Sequence, residues 1–424
     1  MAPRNAVGRT AARGITAGSG SSMSRALEIF RNAWSGTTKI AACGAPALFA
    51  LTACHRPAHQ RGLPPSSTAA VDVSQAEMML QVLAAARSEQ PPAEVLRKVM
   101  TAHGTELVIQ QQNISRAVSP SQYRMILERL HNDVMPAIPA VAPGERARRG
   151  VDGLERDVWP SLKWGMTHLD LLRQRLDTLR SDGLYERACD RAAAVLPPRS
   201  PVTAHLFVVA GGRAGAAAFD NGDIYFDVLA TSYRVALGTI ESYPSTDGIV
   251  GFYAHEMHHL ALGQIIDSLT GGLTLVGSEQ QAFAFLRYFA MEGSATYLVS
   301  ERTDLAAMAK EPLYREPFAH RQALAATARE VLQHLLDGGL DEESYERAIA
   351  PFTGNGWHVV GATMFDAIDR ATGRASVIEA MQDPRALPLR YDEALLQLGV
   401  PVDSLPFAIP LARRVAAIGT STLR

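Results

Sequence analysis

Residues 249–262 read Ile-Val-Gly-Phe-Tyr-Ala-His-Glu-Met-His-His-Leu-Ala-Leu, an apolar run broken only by three histidines and one glutamate. A helix that is apolar on every side has to be buried, so His255, Glu256, His258 and His259 go into a core with it. Polar groups there cost free energy unless something partners them, and a cation is one such partner. The 3.6-residue repeat sets His255 and His259 on one face, from which two imidazoles can bind a single tetrahedral ion. Glu256 stands beside the first of them. His258 lies roughly 60° from His255 on the side away from Glu256, which makes it a packed neighbour rather than a ligand. Ser242 or the Ser245-Thr246-Asp247 group offers N-cap oxygens, and Gly263 is the expected C-cap, for a helix of roughly four to five turns.

The motif is H-E-x-x-H, the spacing used by zinc hydrolases, with the glutamate placed to take a proton from water. Two histidines do not complete such a site, which takes three protein ligands and keeps one position for water. Glu292, 33 residues beyond His259, is the candidate third ligand. It sits in the apolar surroundings of Phe283, Phe285, Leu286, Phe289, Leu298 and Val299, where a carboxylate needs a counter-charge. Ser278-Glu279-Gln280-Gln281 has the form of a capping box that opens this second helix, expected over residues 279–302. Gly293 and Ala295 are small, and predict a close approach to the histidine helix.

With these residues in place, H-E-x-x-H followed by a helical Glu292-Gly293-x-Ala295-x-Tyr297 resembles the gluzincin metallopeptidases. More nearly still, it resembles bacterial families described as zinc-dependent peptidases, over a stretch from about Leu206 to the end of the chain. Gly356-Trp357-His358-Val359-Val360-Gly361 looks like the helix that follows their metal site, and Met381-Gln382-Asp383-Pro384 fits as well. The resemblance implies a zincin fold and a Zn2+ cofactor held by His255, His259 and Glu292. It further implies peptide-bond hydrolysis through a zinc-bound water activated by Glu256. Tyr297, His358 and Tyr225 are the candidates to stabilise the oxyanion. This chain departs from the pattern in its longer His259-to-Glu292 interval, caused by residues 265–277, and in carrying histidine at 358 where related sequences tend to show tyrosine nearby.

Around the motif, residues 203–210 and 223–229 are β-like runs, with Asn221-Gly222 as a turn signal for a hairpin or small sheet. Apolar spacings of three and four dominate elsewhere. The fold class expected is therefore mainly α with a small β-sheet (α+β). A helical subdomain (75–200) precedes a zincin-like metallopeptidase domain (201–405), and a C-terminal tail (406–424) follows. Within the first of these, residues 154–179 read as a longer amphipathic helix or helix pair interrupted near Trp159-Pro160.

The N-terminus carries an address. Arg25, Arg31 and Lys39 precede an apolar run over residues 40–53, too short to span a bilayer but suited to a secretory signal. It ends in Leu51-Thr52-Ala53-Cys54, which resembles a bacterial lipobox, with Met23 as a plausible start. The resemblance implies a signal peptide (1–53), lipidation at Cys54, a Pro/Ser/Ala-rich tether (54–74) and a location on the extracytoplasmic face of the bacterial envelope. In a cell with two membranes that is the periplasm-facing outer membrane. Of the three cysteines only Cys189 would then remain as a free thiol, read as packing. Removing residues 1–53 changes the net charge from −2 to −7, which gives no electrostatic basis for nucleic-acid binding. The partners expected are a peptide or protein substrate and the membrane. The alternative function is an inactive zinc-binding lipoprotein that holds peptides or envelope components. Retention of Glu256 argues against it, because a structural site does not need that base.

Overall fold

The computed structural model describes residues 71–420, apart from 117–118, 139–153, 182, 199, 213–215, 220, 241, 274, 276, 301–304 and 354. The expected signal segment and Cys54 lie outside the described residues. The last residues assigned to the tether do not: the Asp72 amide donates to Leu206 O and its carbonyl accepts from Val208 N, both at 2.8 Å, so this stretch pairs with the first strand. Among the described residues no helix is long and apolar enough to cross a membrane.

The chain is mostly helical with one small sheet. In order come α1 (Ser74–Ala85), α2 (Ala93–Thr101), α3 (His103–Arg116), α4 (Pro120–Glu128), α5 (Trp159–Thr167), α6 (Leu169–Ser181) and α7 (Leu184–Ala193). A π turn at Leu154–Val158 leads into α5. The break expected at Trp159-Pro160 falls instead at His168, because Pro160 occupies the first turn of α5, where its missing N–H costs nothing.

The sheet holds β1 (His205–Val209), β2 (Ala216–Ala218) and β3 (Asp223–Asp227) in the order β1-β3-β2. The two apolar runs do not form a hairpin with each other. They pair in parallel, Phe207 opposite Tyr225, and the short β2 between them is the antiparallel partner of β3, with Ala217 opposite Tyr225. Asn221-Gly222 therefore closes the β2–β3 hairpin, and Gly222 has the positive φ of 90° that favours glycine there. β3 stops at Asp227 rather than at 229, since that side chain accepts from Ala230 N (2.9 Å) and caps a helix, α8 (Val228–Ala236).

After the sheet follow α9 (Thr246–Thr270), α10 (Ser278–Ser294), α11 (Leu305–Met308), α12 (Pro312–Ala319), α13 (Arg321–Asp337), α14 (Glu342–Ile349), α15 (Gly356–Thr372), α16 (Arg374–Gln382), α17 (Leu387–Gln397) and α18 (Ile409–Ala416). α10 passes directly into a π turn at Ala295–Val299. Ser278 opens α10 without a capping box; Gly277 precedes it and no side chain caps it. Residues beyond 405 do not trail away, because Phe407, Leu411, Ala412, Val415 and Ile418 are buried in the core.

The apolar interior forms two clusters, and the boundary drawn at residue 200 is not where they divide. One joins α1–α7 to the sheet and to Ile249, Val250, Tyr253, Ala254 and Met257. The other contains no strand and takes Ala261, Leu262 and Ile266 together with α10, α13 and α15–α18. α9 belongs to both, and its histidines stand at the seam.

Candidate metal centre

α9 begins where local chemistry says it should, with Ser245 Oγ accepting from Gly248 N at 3.1 Å. It does not end at Gly263 but runs seven residues further, to Thr270. Gly263 is there for packing: a Cβ at that position would stand 3.2 Å from the Arg287 guanidinium, which pairs with Asp267 and so ties α10 to the last turns of α9. At the other end Tyr253 donates from its hydroxyl to Phe207 O (2.7 Å), and Phe252 packs on Phe226. These contacts with the sheet set the rotation of α9 and aim His255 and His259 at α10.

Glu292 Oε2 is the hub of the cluster. It lies 3.6 Å from His255 Nε2, 3.1 Å from His259 Nε2 and 3.2 Å from His358 Nδ1. The His255 and His259 rings meet edge to face with centroids 4.5 Å apart. None of the three contacts to Oε2 has hydrogen-bond geometry: Glu292 Oε2 and both ring nitrogens of His259 are buried without a hydrogen-bond partner, as is Glu256 Oε1. Donors about 2.0–2.1 Å from one tetrahedral ion stand roughly 3.3 Å from each other, and the three distances from Glu292 Oε2 to the ring nitrogens are close to that. Buried polar atoms that crowd together yet do not hydrogen-bond fit a shared cation far better than an ordinary polar core. The group whose ligand atoms all lie within 4.8 Å of one another, and which could hold a metal ion, is His255, Glu292 and His358; it has His358 where the expected set had His259, which contacts Glu292 at 3.1 Å.

Electrostatics follow from this geometry. Burial pushes the Glu292 carboxyl up, but His259, His358 and His255 more than reverse it and hold the group well below the usual range. Burial, with the neighbouring His259, brings His255 down to about 4, which leaves its imidazole neutral and able to ligate. His259 is pushed down by burial and raised more strongly by Glu292, for a net rise. Burial lifts Glu256 to about 7, the range suited to a general base near neutrality. His258, pushed well below its ordinary value by burial, is neutral and joins Ser294 Oγ at 2.8 Å. It braces α9 against α10 two residues from Glu292.

The structure thus brings together His255, Glu256, His259, Glu292 and His358, and it takes Tyr297 elsewhere. The Tyr297 hydroxyl donates to Asp369 Oδ2 at 3.0 Å, since the π turn after Glu292 rotates the ring towards α15. Tyr225 is buried in β3, with its ring 6.1 Å from Phe219. Gly293 meets α15, not the histidine helix as expected: a Cβ on it would come within 2.5 Å of Gly361. That crossing is what delivers His358 to Glu292. Gly361, one turn after His358 and followed by no charged residue until Asp366, was the signal for it.

Fold and site together define a mostly helical protein with a small sheet and a buried His/Glu/His group able to hold a metal ion. The chain belongs to the family described as "Putative zinc dependent peptidase (DUF5700)", whose match covers residues 96–398, from within α2 to the end of α17. No curated protein and no solved structure matches the chain.

Proposed function

We propose that this protein is a zinc-dependent metallopeptidase, with His255, His259 and Glu292 as the core ligands and Glu256 as general base. The observation that carries this reading is the crowding of buried imidazole nitrogens around Glu292 Oε2, which hydrogen-bonds to none of them, beside a Glu256 raised to about 7. Bound zinc supplies a Lewis acid and lowers the pKa of a water towards neutrality. Glu256 accepts the proton and returns it to the leaving amine. Of the three candidate donors to the oxyanion, Tyr297 and Tyr225 are engaged elsewhere, which leaves His358 at the cluster.

A peptide substrate suits the sheet. Asp72 covers the outer edge of β1, and among the described residues β2, three alanines long, is the outer strand on the other side. Such an edge offers backbone groups to an extended chain. The lipobox-like Leu51-Thr52-Ala53-Cys54 supports a lipid-anchored protein facing away from the cytoplasm, and the net acidity supports protein rather than nucleic-acid partners.

The test is a Glu256→Gln protein. It is expected to keep its zinc, measured by metal analysis, and to lose about 10²–10⁴-fold in hydrolysis of a diverse peptide mixture. A wild-type protein that binds zinc and cleaves nothing, or a variant as active as wild type, overturns the reading in favour of a binding lipoprotein.

A further inference from the structure

His358 stands closer to the centre than a three-ligand site requires. Its place is set by two contacts at the start of α15. Trp357 is wedged among Phe285, Phe289 and Phe352, with centroids 4.8–4.9 Å away. Gly361 lies so near Gly293 and Phe289 that a Cβ on it would be 2.5 Å from the Phe289 carbonyl oxygen and 2.6 Å from Gly293 Cα. Between these anchors, His358 Nδ1 is held 3.2 Å from Glu292 Oε2 without a hydrogen bond to it. A histidine that merely oriented a ligand from outside would hydrogen-bond that ligand; this one is placed like a ligand. The same Nδ1 has a second partner, Thr296 Oγ1, at hydrogen-bonding distance of 3.1 Å. An imidazole nitrogen has one lone pair, so it can serve an ion or accept from the hydroxyl, but not both.

We propose that His358 is itself a metal ligand through Nδ1 in the substrate-free protein, and that it trades the ion for Thr296 to open the position hydrolysis needs. This rests on the zinc reading above. Four protein ligands make a closed site and three make an open one, so Thr296 serves as the resting place of a displaceable fourth ligand. With all four side chains holding the ion the centre would be closed, and a His358 ring turned to Thr296 would stay within reach of Glu292.

X-ray absorption of the zinc-loaded full chain is the direct test. Three imidazoles are expected in the wild type and two in His358→Ala, whose zinc affinity in chelator competition falls at least about tenfold. The cobalt-substituted His358→Ala protein is expected to gain a pH-dependent visible spectrum from a bound water that the wild type lacks. Thr296→Val, without the alternative partner, is expected to keep three imidazoles and turn over more slowly per bound zinc; unchanged turnover overturns the exchange. Two imidazoles in the wild type overturn the proposal, and that count decides even if His358→Ala does not fold. A wild type with two imidazoles that still cleaves peptides leaves the peptidase reading standing, whereas a protein that binds no zinc removes both.

Discussion

Asp227 and Glu292 are both buried carboxylates, 1% and 6% exposed, one against the first core and one at the seam between the two, and their neighbours treat them in opposite ways. Asp227 accepts from the backbone amides of Gly211 (3.1 Å), Gly212 (2.8 Å) and Ala230 (2.9 Å), so its charge is met within the polypeptide. It joins the exit of β1, the end of β3 and the start of α8. Nearby, Gln75 accepts from Ala210 N and donates to Thr105, another polar group satisfied in place. Glu292 faces three imidazoles at 3.1–3.6 Å and its Oε2 hydrogen-bonds to none of them. Burial of a polar residue alone therefore does not mark a functional site. What marks it is convergence without satisfaction, which the first core lacks at Asp227 and the seam between the cores has.

The sharpest way to break this contrast is to remove each acid. Glu292→Ala is expected to weaken zinc binding by at least about 100-fold while the metal-free protein stays folded; chelator competition reads the first and circular dichroism the second. Near-native affinity would abolish the distinction. Asp227→Ala should do the reverse. Three backbone amides lose their acceptor and a helix loses its cap, a destabilisation of about 3 kcal/mol or more measurable by urea unfolding, with zinc per folded chain unchanged.

Gly361→Ala tests the crossing that supplies His358. The added methyl has backbone on two sides, so about 2 kcal/mol of stability is expected to be lost to overpacking, with weaker zinc binding as α15 shifts. Stability lost without any change in affinity would separate the crossing from the centre.

The smallest effect belongs to the first core. His103 Nε2 lies 2.6 Å from Asp223 Oδ2 and its Nδ1 3.3 Å from Glu106, while His205 and Asn221 also contact Asp223, at 3.0 and 2.7 Å. Burial pushes the His103 pKa down, and Asp223 and Glu106 raise it by more, for a net rise. A raised histidine stabilises the fold fully below its unfolded value of about 6.5 and loses that contribution as pH climbs through the folded value. The Tm difference between wild type and His103→Gln should be largest at pH 6 and shrink by pH 9. It will be small, because the ring is nearly half exposed and solvent screens the pair. A difference independent of pH would show that the His103–Asp223 contact is packing alone.

Residue order by itself determined whatever depends on neighbours along the chain. The Ser245 cap, the register that puts His255 and His259 on one face, the burial of Glu292 and the mostly helical class with a small sheet all follow from short-range pattern, since capping and helical periodicity are local. Tertiary structure decided what depends on who meets whom. Gly263 lies inside α9 because Arg287 and Met291 pack over it, although its local preference is to end a helix. The two apolar strands run parallel because β2 pairs in between, and strand pairing is a long-range choice. Tyr297 goes to Asp369, 72 residues away, and His358 comes to Glu292 through a glycine-on-glycine crossing that no periodicity encodes. The motif names two candidate ligands from one turn of helix, but the rest of the candidate centre is assembled from helices that are distant in sequence. Only their packing brings those side chains within a bond length or two of the same point.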